Sequence, residues 1–296
     1  MSGIGPLPWW GTLELTADSL LNGIQAAQQT LESTAGKEQL LQEFRRHSAV
    51  TCVYLSNSME GTLPPGVSCH DTYQLVAAEL EGQETASTEP VQEWDPEGAA
   101  DRVGARAQLQ AHMRALKYLC QHCLPGPLTS QQVREAHRLL MEGARGLAGG
   151  EYRVTPSHSG TGYVYPLPST IPGQVEHILE AFNSQVSSIA TVAAAVQATA
   201  DLLYDMLVLH PFVDGNGRLC RLLATYALCA FGQPFPIPMH NGHSRARKHY
   251  QSMLLHADHH HHKSRLLAYI LECVAYKWAN LETLCQQQQQ QQQQQS

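Results

Sequence analysis

Two long apolar segments, 202–209 and 222–231, are interrupted by the twelve residues His210-Pro211-Phe212-Val213-Asp214-Gly215-Asn216-Gly217-Arg218-Leu219-Cys220-Arg221. That break constrains the fold more than any other feature of the chain. Proline lacks the amide proton a helix interior needs, and glycines weaken helical order, so one continuous helix cannot run through. The pattern predicts a buried helix over 191–209 ending at His210, and a second helix starting near Asn216 or Gly217 and reaching 231.

The turn between them has a chemistry of its own. A Gly-Asn-Gly turn feeding a helix N-terminus aims several backbone N–H groups at one point, and the helix dipole makes that point attractive to anions. Arg218 and Arg221, three residues apart, share a face with Thr225. The spacing sets them off the Leu219, Leu222, Leu223, Tyr226 stripe and turns them toward the anion. Asp214 offers a hard oxygen of the kind Mg²⁺ takes beside phosphates. Singly, these would be a turn, a helix cap and a solvated pair of arginines. Together in twelve residues they point to a phosphate site.

Composition narrows the class. The chain has 296 residues, 43% hydrophobic and 15% charged, which suits a large buried core and not a disordered chain. A net charge of -7 argues against nucleic acid as a partner. Eight cysteines are scattered through apolar, helical patterns and read as reduced core residues. Cys120-x-x-Cys123 has no second pair at zinc spacing and reads as a helical pair. There is no signal-like segment and no run of 18 apolar residues, so the expectation is a cytoplasmic protein with no membrane partner.

Along the chain, 1–80 reads as an N-terminal helical region, with one or two amphipathic helices over 12–47 and a shorter helix over about 48–61, ended by Gly61. The stretch 81–101 is acidic, with no Lys or Arg, and reads as a linker or loop. A core over 102–284 follows: a helix over 102–123, Thr129 as the N-cap of a helix to Met141, and the best hairpin candidate within 151–168. Helices resume over 172–188, 191–209, 217–231 and 264–284. The histidine run 259–262 reads as a solvated loop and not a metal site. Ten glutamines at 286–295 place a disordered tail over 285–296.

The segment 210–221 matches H-x-F-x-[D/E]-G-N-G-R-x-x-R at every specified position and so resembles the signature of the Fic family. The stretch from Leu128 through Gly143, Gly150-Glu151-Tyr152-Arg153, Tyr163-Val164-Tyr165-Pro166, and the segments 247–250 and 254–258 extend that resemblance over about 48–275. It implies an all-α helical bundle of the Fic fold with a small β-hairpin flap. The implied activity is a nucleotidyltransferase, specifically a protein adenylyltransferase (AMPylation) that moves AMP from ATP to a Ser, Thr or Tyr hydroxyl of a target protein. His210 would be the general base, and Asp214 would hold Mg²⁺ or Mn²⁺. Gly215, Asn216, Gly217, Arg218 and Arg221 would hold the phosphates, with Tyr250 and Asp258 bordering the base. The flap residues Thr161, Gly162, Tyr163 and Val164 would bind the target by strand-like pairing. The resemblance also allows a homodimer.

Ser56-Asn57-Ser58-Met59-Glu60-Gly61 fits the [S/T]-x-x-x-E-[G/N] motif of Fic proteins whose inhibitory helix lies N-terminally. Ser56 and Glu60 share a helix face, and a carboxylate in a last helical turn opposes the dipole. An ion pair with Arg221 would offset that cost and withhold the guanidinium from a phosphate. In some relatives the same glutamate positions water to remove AMP. Two alternatives stand beside this reading: a Fic-fold transferase of another phosphate-containing group, and a non-catalytic nucleotide-binding scaffold.

Overall fold

The computed structural model describes residues 16–64, 66–81, 99–124, 126–142, 144, 149–160, 162–186, 188–242, 245–260 and 262–295. Among these the chain is helical, and a single antiparallel bridge, His158 to Val164, is its β-structure. The first helices are α1 (Ala17–Glu32), α2 (Lys37–Glu60), α3 (Cys69–Glu81) and α4 (Ala99–Lys117), the last running into a π-helical segment at Tyr118–Cys123. Then come α5 (Ser130–Met141), α6 (Ile171–Val186), α7 (Val192–Leu209), α8 (Asn216–Ala230), α9 (Ala246–His260) and α10 (Ser264–Gln295).

The central pair forms as its pattern predicts. Thr191 caps α7 by accepting the Ala194 N–H at 3.2 Å, and the helix stops at His210, a non-glycine residue at φ +49°. α8 begins behind Gly215 at φ +76° and is buried from Leu219 through Leu228. By length and composition α7 could cross a membrane, yet half of it is buried in this bundle, against α6 and α8. Thr129 and Gln132 cap α5 reciprocally, a polar arrangement that fixes where the chain turns toward the site.

Four expectations change. The predicted short helix at 48–61 is the last part of one helix starting at Lys37, because 37–60 contains no Gly or Pro and its buried positions Phe44, Ser48, Ala49, Val50, Cys52 and Val53 bridge the expected boundary within about a turn of one another. The glutamine tail is helical to Gln295, not disordered. Glutamine is a good helix former, the buried Trp278, Leu281 and Cys285 anchor the helix before it, and Gln288 and Gln289 donate to Ala35 O at 2.9 Å and Thr34 Oγ1 at 3.1 Å. α9 runs through His260, so the histidine run begins inside a helix. The hairpin amounts to one bridge, since Ser159-Gly160-Thr161-Gly162 supplies no apolar face to hold longer strands. Of the acidic stretch, 82–98 lies outside the described residues.

One apolar core joins the N-terminal helices to the rest: Phe44 meets Phe235 edge-on at 4.8 Å, and Val50, Val53 and Met59 belong to the cluster that contains Leu219 and Leu223. That continuity seats the end of α2 against α8.

Candidate active site at the α7–α8 turn

Arg153 organises the corner from which the site is built. It is 2% exposed, and its guanidinium donates to His210 O at 2.7 Å, Pro166 O at 2.6 Å, Thr155 O at 3.1 Å and Leu209 O at 3.4 Å. Its backbone N–H donates to Pro211 O at 2.9 Å. A cation is therefore placed on carbonyls left open at the C-terminal end of α7, and both ends of the flap are tied to His210. Arg153 lies in a stretch that resembles the family, but its role is not visible in the sequence. A buried arginine collecting carbonyls leaves no local signal.

His137 secures the other side of the turn. Its ring stacks on Phe212 at 3.7 Å, Nδ1 accepts the Gly150 N–H at 2.8 Å, and Nε2–H donates to Asp214 O at 2.9 Å. Burial holds its pKa down at about 4, so the imidazole stays neutral and keeps that donor–acceptor pattern. Gly215 is needed for contact as well as for its φ of +76°: a Cβ there would lie 2.7 Å from Met141 Sδ and 3.1 Å from His137 Nε2. Asn216 is spent on the same loop. It accepts the Phe212 N–H at 3.0 Å and donates back to Phe212 O at 2.9 Å, so its backbone, not its side chain, is what remains for an anion.

His210 lies beneath the flap. Its ring stacks on Tyr165 at 3.9 Å with 10° between planes. Nδ1 is buried with no hydrogen-bond partner of good geometry, and the Leu207 backbone favours the protonated ring. Burial, above all, lowers its pKa below the ordinary 6.5, with Arg153 adding to the shift, so the free base dominates at neutral pH.

Arg221 faces the last turn of α2. It donates from Nε to Ser56 Oγ at 2.9 Å and from Nη2 to Ser56 O at 3.1 Å and Glu60 Oε1 at 2.5 Å. The Tyr250 ring lies 5.8 Å from its guanidinium carbon. Glu60 also crowns the start of α8, since a Cβ on Gly217 would stand 2.6 Å from Glu60 Oε1. The carboxylate thus sits at the unfavourable end of its own helix and the favourable end of another. It takes the place an anion would take.

His210, Gly217, Arg221, Glu60, Tyr163 and Tyr250 line one open cavity of about 570 Å³, together with Tyr204, Leu254 and Arg247. Among the described residues, the other predicted ones do not line it. Arg218 turns away to Gln108 Oε1 at 3.2 Å and Asp214 Oδ2 at 3.5 Å, so the two arginines diverge instead of sharing one anion, and both are buried. The reason is packing: Arg218 meets α4 and α5 while Arg221 meets α2. Asp214 remains about half exposed at the rim. Gly162 and Val164 are exposed on the flap, with Val164 at 73%. Thr161 and the side chain of Asp258 lie outside the described residues.

A helical bundle with a histidine at one helix end, an anion-attracting start to the next helix and a flap above them defines the architecture of Fic domains. Solved structures agree on that fold. A Fic domain containing signaling protein of Bacteroides thetaiotaomicron superposes with a TM-score of 0.69 at 20% identity, covering 91% of this chain and 96% of that one. Fic-1 of C. elegans gives 0.64 at 18% identity over 90% of this chain and 70% of its own. The Fic/DOC family model matches residues 127–228. A Fido domain-containing protein of Dictyostelium discoideum is 31% identical over 102 residues, 34% of this chain and 67% of that protein. The chain belongs to the Fic/DOC family. Protein adenylyltransferase Fic of Drosophila willistoni is 32% identical over 107 residues, but the match spans only 21% of that longer protein and 36% of this chain.

Proposed function

We propose that this protein is a Fic-type transferase that moves AMP from ATP to a Ser, Thr or Tyr hydroxyl of a target protein, and that Glu60 holds it in an inhibited arrangement. One observation carries the reading: a neutral His210 and the buried Arg221 face a single cavity, and the residue that engages Arg221 there is a carboxylate at the start of α8.

The chemistry follows from those positions. His210 Nε2 takes the proton from the target hydroxyl as its oxygen bonds to the α-phosphorus; the bond to the bridging oxygen breaks, and pyrophosphate leaves. Amides at the start of α8 favour charge developing on the α-phosphate. The cavity is of a size that suits a nucleotide. Arg221 would grip a distal phosphate once Glu60 is displaced. Asp214 fits a shared role toward Mg²⁺ or Mn²⁺. Among the described residues no group of three His, Cys, Asp or Glu stands together, so such an ion would draw its other ligands from phosphate and water. When bound, it would neutralise phosphate charge.

The test compares wild type, Glu60→Gly and His210→Ala, each incubated with α-labelled ATP, Mg²⁺ and cell lysate. Weak labelling is expected from wild type, strong labelling from Glu60→Gly and none from His210→Ala. Equal labelling by the first two would remove the inhibitory role. Label transferred from the γ- but not the α-position would make the protein a kinase, and silence in all three with ATP bound would make it a scaffold.

A further inference from the structure

Asn57 lies in the last turn of α2 and is wholly buried, as is His112 on α4. A buried amide in a helix is costly unless every polar group finds a partner, and here each does. Nδ2 donates to Val53 O at 2.8 Å within the helix and to His112 Nδ1 at 3.0 Å across to α4, while Oδ1 accepts the Thr62 hydroxyl at 3.1 Å. Because the amide nitrogen can only donate, His112 Nδ1 is the acceptor, and the ring proton sits on Nε2. That Nε2 is buried without a partner. His112, Ser56 and Arg221 together line a cavity of about 10 Å³.

The last turn of α2 therefore straddles two helices. Ser56 and Glu60 bond to Arg221 on α8, and Asn57 bonds to α4. Gly61, at φ +71°, ends the helix directly beyond, and Thr62 folds back to Asn57 O at 3.1 Å. None of the three bonds to Arg221 involves Asn57, so the two attachments are chemically separate yet hold the same turn. Arg218 and Arg221 near the imidazole oppose its protonation, as burial does more strongly, so Nδ1 remains an acceptor.

We infer that Asn57 and His112 form a second latch, independent of the Glu60–Arg221 bridge, that seats the end of α2 and sets how persistently Glu60 covers the start of α8. The inference rests on the inhibitory reading of Glu60 proposed above. His112 is a positioning residue in it: nothing it touches reacts.

The experiment uses the full chain with Asn57→Ala, His112→Ala and His112→Asn, each alone and combined with Glu60→Gly. Two quantities are read: transfer from α-labelled ATP and hydrogen exchange of the amides over 54–62 and over 216–230. With Glu60 present, Asn57→Ala and His112→Ala are expected to raise transfer on the order of tenfold, the scale of one buried hydrogen bond and an exposed partner. His112→Asn, which keeps an acceptor for Asn57 Nδ2, is expected to return transfer to the wild-type level. With Glu60→Gly, neither alanine should change transfer by more than about twofold, since the cover is already gone. Exchange should quicken over 54–62 and stay unchanged over 216–230.

An equal rise in both backgrounds, quickened exchange over both segments, or no recovery with His112→Asn would overturn the latch. Should His112→Ala fail to fold, Asn57→Ala supplies the same comparison from the other side of the bond. Exchange does not depend on catalysis. If Glu60→Gly transfers no label, the transferase reading fails, and exchange over 54–62 alone decides the latch.

Discussion

Replacing Glu60 with glutamine should tighten nucleotide binding while loosening the fold. The change keeps the shape of the side chain and an oxygen for Arg221 but removes the charge. A charge-assisted bond exceeds a neutral one by about 1–2 kcal/mol. The larger cost of breaking a fully buried pair does not apply: the Arg221 side chain is 7% exposed, but that of Glu60 is 37% exposed, and water screens it. Loss of the favourable dipole of α8 and relief of the unfavourable dipole of α2 are of similar size and nearly cancel. A net change of about 1.5 kcal/mol shifts the ratio of covered to open site about tenfold.

If wild type is mostly covered, its apparent Kd for a non-hydrolysable ATP analogue exceeds the intrinsic value by the reciprocal of the open fraction. Titration calorimetry with Mg²⁺ present should then show Glu60→Gln binding about tenfold more tightly than wild type. Thermal unfolding without nucleotide should fall by a few degrees. Opposite signs in the two measurements are the signature of a contact that stabilises the fold at the expense of the ligand. A Kd within twofold of wild type, with the Tm lowered, would refute the reasoning and leave the bridge a structural contact only.

Three further outcomes follow from the same geometry. Glu272 is buried, its pKa is raised from 4.5 to about 7, and its Oε2 accepts from Asn241 at 2.9 Å. A carboxyl raised on folding gives stability that is lost as pH climbs from 4.5 through 7, so Glu272→Gln should be more stable than wild type by up to about 3 kcal/mol at pH 8 and equal to it at pH 4, as read by urea unfolding. Because burial lowers the His210 pKa below 6.5, transfer by Glu60→Gly should rise with pH and level off before neutrality. A midpoint above 6.5 in that pH–rate profile would count against His210 as the base. Arg153→Met removes four carbonyl contacts from one guanidinium and should cost about 3 kcal/mol with faster proteolysis within 157–165; Arg153→Lys should recover little, because one ammonium cannot span those carbonyls.

Much of the framework was legible because its causes are local. Pro211 and Gly215 bracket the α7–α8 turn, Gly61 ends α2, and Thr129 starts α5 through bonds made within three or four residues. The signature from His210 to Arg221 carries the family in its own twelve residues. Where expectation differed, distant partners were responsible. The glutamines continue α10 alongside α1, with bonds to Thr34 and Ala35 across more than 250 positions. The flap is held by Arg153 at both ends as well as by its short strand pairing.

The sequence alone determined where the helices start and stop and that His210 stands at a break before an anion-attracting helix. Those outcomes depend on backbone preference and caps, which neighbours in the chain decide. The pairing of Arg221 with Glu60, 161 positions away, was expected through the family motif and not from any local pattern; only the tertiary structure decided that Arg218 turns to α4 and that Asn57 is bound to His112. A period of 3.6 residues separates those two arginines by a fraction of a turn. Which helix each one meets depends on how the whole core packs, and no local pattern encodes that.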